Sequence, residues 1–268
     1  MSRRTGWPRR LECRSNSVTG SGGCFVSRVP DRDSPTSSPL LAALGYAKLG
    51  LRPVPTALLD SSGVCSCGCA DPCCRDRGKH SLAATADRWG GIVEEAEIRS
   101  WWGQDSQVNV GLACGPSGLV VLDVDPKRGG AASMARLSAV HGTSFTESLT
   151  AQTSNGGYHL YYLSPPGLRI PTQRSRLGPG IDVIGWGLCV VAPPSVHPSG
   201  HHYRWSARGG PELCPPAPMP RWLVEELQRQ PSLRYRLMSV RWKIPNLEIR
   251  CRLRRLARQL RDSPATGG

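Results

Sequence analysis

Leu119-Val120-Val121-Leu122-Asp123-Val124-Asp125 is an aliphatic run that ends in two carboxylates one residue apart. Residues of this kind over this length read as a β-strand, whose side chains alternate between faces. Leu122 and Val124 therefore point into a core, while Asp123 and Asp125 share the opposite face, about 7 Å apart by the strand rise. Two carboxylates so placed suit a pair of divalent cations ~3.5–4 Å apart, which clamp phosphate oxygens in phosphoryl transfer. The same Asp-x-Asp pattern serves glycosyltransferases and nucleases, or simply caps a strand end, so alone it selects none of these.

Upstream, Val108–Ala113 reads as a strand before the turn Cys114-Gly115-Pro116-Ser117-Gly118. Leu40, Leu41, Leu44, Tyr46, Ala47 and Leu49 fit a helix stopped by Gly50, followed by a short strand at Leu51–Val54. Glu94, Glu95 and Glu97 precede Ile98, Trp101 and Trp102, as in a helix with acids in its first turn. Downstream we expect a helix over Ala131–Val140 and strands at Tyr158–Leu163, Ile181–Ile184, Leu188–Ala192 and Tyr203–Trp205. Gly185-Trp186-Gly187 predicts a three-residue hairpin turn between the second and third of those strands. A helix over Pro220–Gln228, opening on proline, closes the pattern. Mixed elements without internal repeats predict one α+β domain over 39–230.

The chain has 268 residues, with 30 Gly and 24 Pro favouring short elements, yet 39% hydrophobic residues suffice for a core. No apolar run approaches the ~18 residues of a membrane span, and Met1–Arg10 lacks a signal-peptide core. The expectation is a cytoplasmic protein without a membrane partner. The net charge of +14 points to phosphate polymers until it is divided along the chain. Residues 1–38 hold seven Arg against three acids, and 231–268 hold ten basic residues against two, leaving 17 against 15 between them. Residues 1–38, rich in Arg, Ser, Gly and Pro, read as a disordered leader. Residues 231–268 read as a basic helical tail, with Ile249, Leu253, Leu256 and Leu260 on one face of Leu247–Arg261. Its arginines fit a solvated face and phosphate contact equally well.

Three further clusters carry chemistry. Thr153-Ser154-Asn155-Gly156-Gly157-Tyr158-His159 sets two glycines before a strand, where backbone N–H groups approach an anion and His159 donates to a phosphate. An ordinary Asn-Gly turn is the plainer reading. Asp182, in Gly180-Ile181-Asp182-Val183-Ile184, is an acid inside an apolar strand, costly unless paired or metal-bound. It completes a metal set with Asp123 and Asp125, or forms a salt bridge with Arg169 or Arg176. Finally, Cys65, Cys67, Cys69, Cys73 and Cys74 crowd into ten residues ahead of Gly78-Lys79-His80. In a reducing compartment such a cluster suits tetrahedral zinc, with a redox-active cluster as the rival.

Asp-x-Asp, then Ser-x-Gly-Gly-x-His, then a strand Asp, in this order, resembles the bifunctional DNA primase/polymerase N-terminal domain of the archaeo-eukaryotic primase superfamily. Asn109-Val110-Gly111-Leu112, Val190-Val191-Ala192-Pro193-Pro194-Ser195, Ser199-Gly200 and Tyr203-Arg204-Trp205 extend the resemblance over about 40–228. The resemblance implies a primase-like fold, an RRM-like catalytic sheet plus an N-terminal αβ unit with an inserted zinc-binding loop at 60–80. It implies template-directed nucleotidyl transfer on single-stranded DNA with NTPs or dNTPs. Asp123, Asp125 and Asp182 would bind two Mg²⁺ or Mn²⁺ ions, and His159 would contact nucleotide phosphates beside Ser154, Gly156 and Gly157. Zinc would fall to Cys65, Cys67, Cys74 and His80.

Two departures stand out. Trp186, Leu188 and Cys189 follow Asp182 where the family carries a Gly-rich turn and an aromatic, and the loop before Cys74 is slightly long. No Gly-x-x-x-x-Gly-Lys-Ser/Thr motif occurs in the chain, so any helicase partner is a separate protein. The rival from another class is a non-catalytic, zinc-containing DNA-binding replication accessory protein. An Asp-x-Asp glycosyltransferase leaves the cysteine loop and Asp182 without a role.

Overall fold

The computed structural model describes residues 38–60, 62–67, 77–82, 91–92, 94–103, 108–143, 145 and 148–229. The expected leader, the basic tail with its helix, and Cys69, Cys73 and Cys74 lie outside the described residues. In chain order the first elements are α1 (Pro39–Lys48), β1 (Pro53–Thr56), α2 (Glu95–Trp102), β2 (Asn109–Ala113) and β3 (Leu119–Val124). Then come α3 (Gly130–His141), β4 (Thr150–Gln152), β5 (Tyr158–Leu163), β6 (Ile181–Ile184) and β7 (Cys189–Val191). The short strands β8 (Arg204–Trp205) and β9 (Ala217–Pro218) precede the helix α4 (Arg221–Gln228).

Local chemistry explains the helix ends. The Ser38 hydroxyl accepts the Leu41 amide at 3.3 Å, Pro39 opens α1, and Gly50, at φ +78°, lets the chain turn away beyond it. The strands form two sheets. One has the order β1-β2-β7; the other has the order β6-β3-β5-β4-β8, with β9 pairing alongside β5. Every pairing among these strands is antiparallel except β5 with β9. The mixed α+β architecture expected from the sequence is thus present.

β3 is the spine. Its alternation sends Leu119 and Val121 into a core shared with α1, α2 and the smaller sheet, through Tyr46, Ile98, Leu112, Val190 and Tyr161. Val120, Leu122 and Val124 enter a second core under α3 and α4, with Met134, Leu137, Leu160, Val183, Leu223 and Leu227. Both faces are buried for the length of the aliphatic run, and Asp123 is where the first face turns polar.

The Gly185-Trp186-Gly187 hairpin does not form. β6 pairs with β3, whereas β7 pairs with β2 in the other sheet, so the chain crosses between sheets at this turn. The reason is core membership: Ile181 and Val183 belong to the second core and Val190 to the first. The Trp186 amide donates to the Ile170 carbonyl at 2.7 Å instead of closing a hairpin. β4 and β9, short strands with little apolar pattern, have no counterpart in the sequence reading.

Because Leu122 is fully buried at the middle of the spine, Leu122→Ala is expected to cost about 2–5 kcal/mol in urea unfolding. Val140→Ala, on the exposed side of α3, is expected to stay within about 0.5 kcal/mol.

Candidate active site

Strand register, rather than sequence proximity, gathers the site. Asp123 on β3 stands directly opposite Asp182 on β6 and opposite His159 on β5. Cross-strand partners share a face about 4.5–5.5 Å apart at Cβ, so two acids and an imidazole form one row. Asp125 follows as β3 ends. Its Oδ1 accepts the Lys127 amide at 3.0 Å, and its own amide donates to the Gly180 carbonyl at 2.8 Å. Gly180 needs to be glycine: at φ +75°, a Cβ there would lie 2.3 Å from the Gly130 amide nitrogen. This close approach ties the end of the Asp-x-Asp strand to the start of the strand that carries Asp182.

All four residues line one cleft of about 500 Å³, together with Lys79, His80, Arg128, Arg174 and Tyr203. Asp182 is buried and well partnered. Its Oδ1 accepts the Ser175 amide at 2.8 Å, and its Oδ2 faces Arg128 at 3.1 Å and Arg174 at 3.5 Å. Ser175, at φ +50°, is the one non-glycine residue with positive φ among those described, and that conformation aims its amide at the carboxylate. The salt-bridge partners expected from the sequence, Arg169 and Arg176, are engaged elsewhere: Arg176 pairs with Glu226 and Arg169 lies over Trp186.

Arg128 spans the acids, its Nε 2.9 Å from Asp125 and its terminal nitrogen 3.1 Å from Asp182. Partial burial opposes the guanidinium charge, but the two carboxylates outweigh it and raise its pKa. Among the described residues, no three of His, Cys, Asp and Glu close around one point as they would for a single ion. The acids are instead spread along the row with a guanidinium between two of them.

His159 lies 3.6 Å from Asp123, and its buried Nδ1 has no hydrogen-bond partner among the described residues. Burial pushes its pKa down, Asp123 pulls it up, and Lys79 adds to the depression. Its ring is therefore neutral at neutral pH and carries a single N–H donor. His197, nearby, is pushed down to about 4 by burial, then by Lys79 and His201.

Ser154, Gly156 and Gly157 form a tight turn beside this row but are not among the residues lining the cleft. Gly157 packs against the end of β3, where a Cβ would sit 2.9 Å from the Val124 carbonyl. Of the cysteine loop, Cys65 and Cys67 have sulfurs 3.0 Å apart, and the Gly78 amide donates to Cys65 Sγ at 3.2 Å. Cys74 lies outside the described residues. His80 lines the acid cleft, its carbonyl accepting the Ala57 amide at 2.7 Å. The loop thus returns to the sheet at the cleft and delivers Lys79 there. No sequence motif marks Arg128 or Arg174 as site residues, whereas Lys79 lies within Gly78-Lys79-His80 at the end of the cysteine loop.

A mixed α+β fold with acids, cations and a neutral imidazole around one cleft is suited to a polyanion and its counter-ions. The family profile for bifunctional DNA primase/polymerase, N-terminal, matches residues 43–222, and the chain belongs to that family. Family membership carries nucleotidyl transfer of the DNA primase/polymerase type, with DNA and nucleotides as substrates. A search of curated proteins finds no match. Among the described residues no helix is long and apolar enough to cross a membrane.

Since Lys79 opposes imidazole protonation, Lys79→Met is expected to raise the pKa of both His159 and His197 in an NMR titration of the ring protons. The sign follows from removing a cation that disfavours a second positive charge.

Proposed function

We propose that the protein is a DNA primase/polymerase that extends or initiates strands on a single-stranded DNA template, using NTPs or dNTPs and two divalent cations. The observation that carries this reading is the row Asp182–Asp123–His159, completed by Asp125, on one cleft. The fold reading accompanies it. α3 and α4 pack over the face opposite Asp123, which supports an archaeo-eukaryotic primase-like, RRM-like catalytic sheet with an N-terminal αβ unit.

The donor set fits hard cations, since it consists of carboxylate oxygens that already draw a guanidinium between them. Asp123, Asp125 and Asp182 would hold the ions. Mg²⁺ or Mn²⁺ bound there would lower the pKa of the attacking 3′-hydroxyl and stabilise the pyrophosphate leaving group. Arg128 must leave the gap between Asp125 and Asp182 for this, and its exposed edge lets it swing toward a triphosphate. Arg174 and Lys79 supply further positive charge at the cleft wall. His159, held neutral, donates its one N–H to a phosphate oxygen. Ser154, Gly156 and Gly157 flank it and shape the approach from the edge. Positioning and fixed charge supply most of the rate in such chemistry.

The cysteine loop acts as a structural zinc site in this reading, with Cys65, Cys67, Cys74 and His80 as ligands. The adjacent sulfurs of Cys65 and Cys67 support it, although Cys65, Cys67 and His80 do not themselves gather around one point. A separate helicase would open duplex DNA ahead of the enzyme.

Primer extension with Mn²⁺ tests the reading. Asp123→Ala and Asp182→Asn are expected to lower incorporation by about 10²-fold or more, the scale of several kcal/mol of lost charge stabilisation. Glu97→Gln, an exposed acid on α2, should leave it unchanged. A wild type that binds DNA but incorporates nothing favours the accessory-protein alternative.

Arg128 gives a second outcome. Without divalent cations, Arg128→Gln should melt at a lower temperature than wild type, because Asp125 and Asp182 lose their shared counter-charge. Added Mn²⁺ should raise the melting temperature of the variant by more than that of wild type, since no guanidinium competes for the gap. Equal shifts in calorimetry would contradict this.

A further inference from the structure

Trp186 occupies the crossing between β6 and β7 and is 43% exposed, an unusual place for an indole. Glycine at 115 is what lets it lie there. A Cβ at Gly115 would come within 2.5 Å of the ring carbon Cε3 and 2.8 Å of Cδ2, so the ring packs against bare backbone. The Arg169 guanidinium lies over the ring, 4.2 Å from its centroid. Arg169 is exposed and has no carboxylate partner among the described residues. Ring and guanidinium together border a second cavity of about 350 Å³, lined otherwise by glycine, proline and aliphatic residues and by Ser164.

This cavity adjoins the acid cleft along two paired segments. Gln173 and Val183 exchange backbone hydrogen bonds at 2.9 and 2.7 Å, and the Gly185 amide donates to Thr172 Oγ1 at 3.1 Å. Thr172, Ile184 and Leu188 line the acid cleft, while Ile170 and Trp186 line the second cavity. Asp182 and Trp186 are four residues apart on this strip, at most about 13 Å at the strand rise because β6 ends at Ile184. That length spans at most about four stacked nucleotides at ~3.4 Å each.

We propose that Trp186 and Arg169 form a stacking site for a base of the single-stranded DNA template, a few nucleotides from the acid row. The occupant follows from the chemistry. A backed indole offers a π-face, an unpaired guanidinium offers both a stacking plane and a phosphate charge, and DNA is a substrate of the family. Most of the lining is glycine, proline and aliphatic, and the Ser164 hydroxyl already donates to the Leu168 carbonyl at 3.0 Å, so few side-chain donors or acceptors face base edges and the site is sequence-tolerant. The proposal rests on the polymerase reading only for the direction in which the strand continues.

Fluorescence anisotropy of the full chain with a fluorescein-labelled oligo-dT, over a salt series, tests it. Trp186→Ala is expected to weaken binding roughly 5- to 150-fold, the value of one lost stack, with the salt slope unchanged. Trp186→Phe should recover most of the affinity. Arg169→Gln, at an exposed position that does not endanger folding, should weaken binding and reduce the salt slope by about 0.7, one phosphate contact on a single strand. Affinity and slope equal to wild type in Arg169→Gln overturn the proposal even if Trp186→Ala fails to fold. The outcomes separate the two readings. A wild type that binds oligo-dT through Trp186 yet incorporates nothing keeps this site and removes the polymerase. Primer extension and binding undiminished in Trp186→Ala keep the polymerase and remove the site.

Discussion

The structure depends on placing like charges side by side and then offsetting them. Antiparallel pairing sets Asp123 against Asp182, an arrangement that costs stability in a sheet unless a counter-charge is near. Arg128 and Arg174 supply that charge at Asp182, and Arg128 reaches Asp125 as well. The cationic side chains are therefore as much a part of the site as the acids. They hold the row together.

What makes the row possible is burial of the rest of β3. With Leu119 and Val121 fixed in one core and Val120, Leu122 and Val124 in the other, the strand cannot slip by one residue without inverting every side chain. Such a slip would also carry Asp123 out of the cleft and into the second core, so aliphatic packing and the acid together enforce the register that pairs Asp123 with Asp182 and His159. Glycine contacts extend this control past the strand end. Gly180 against Gly130 and Gly157 against Val124 bring three chain segments to backbone contact around Asp125.

Much of this was legible in the sequence, and the reasons differ by residue. β3, β5 and β6 were marked by short aliphatic and aromatic runs, and Asp182 by being an acid within apolar surroundings. The family resemblance drew together what periodicity could not. That Asp123, Asp182 and His159 share a row depends on strand pairing between segments up to 59 positions apart, which leaves no local trace. Lys79, Arg128 and Arg174 were invisible as site residues because a surface cation has the same local pattern wherever it points. Gly185-Trp186-Gly187 suited a hairpin by its own chemistry, but the two flanking strands were already committed to different cores. Tertiary packing overrode the turn.

That crossing and the one between β2 and β3 lie against each other, since the Cys114 amide donates to the Leu188 carbonyl at 3.0 Å and the Trp186 ring rests on Gly115. The two sheets are therefore stitched at a seam next to the cleft, and they share a core containing Leu112, Val190, Val121 and Tyr161. The cleft draws its walls from both sheets, with Asp123 and Asp182 from one and Cys189, Val190 and Val191 from the other. Its gauge is consequently fixed by the scaffold. The backbone frame sets its width, and long basic side chains stand along it.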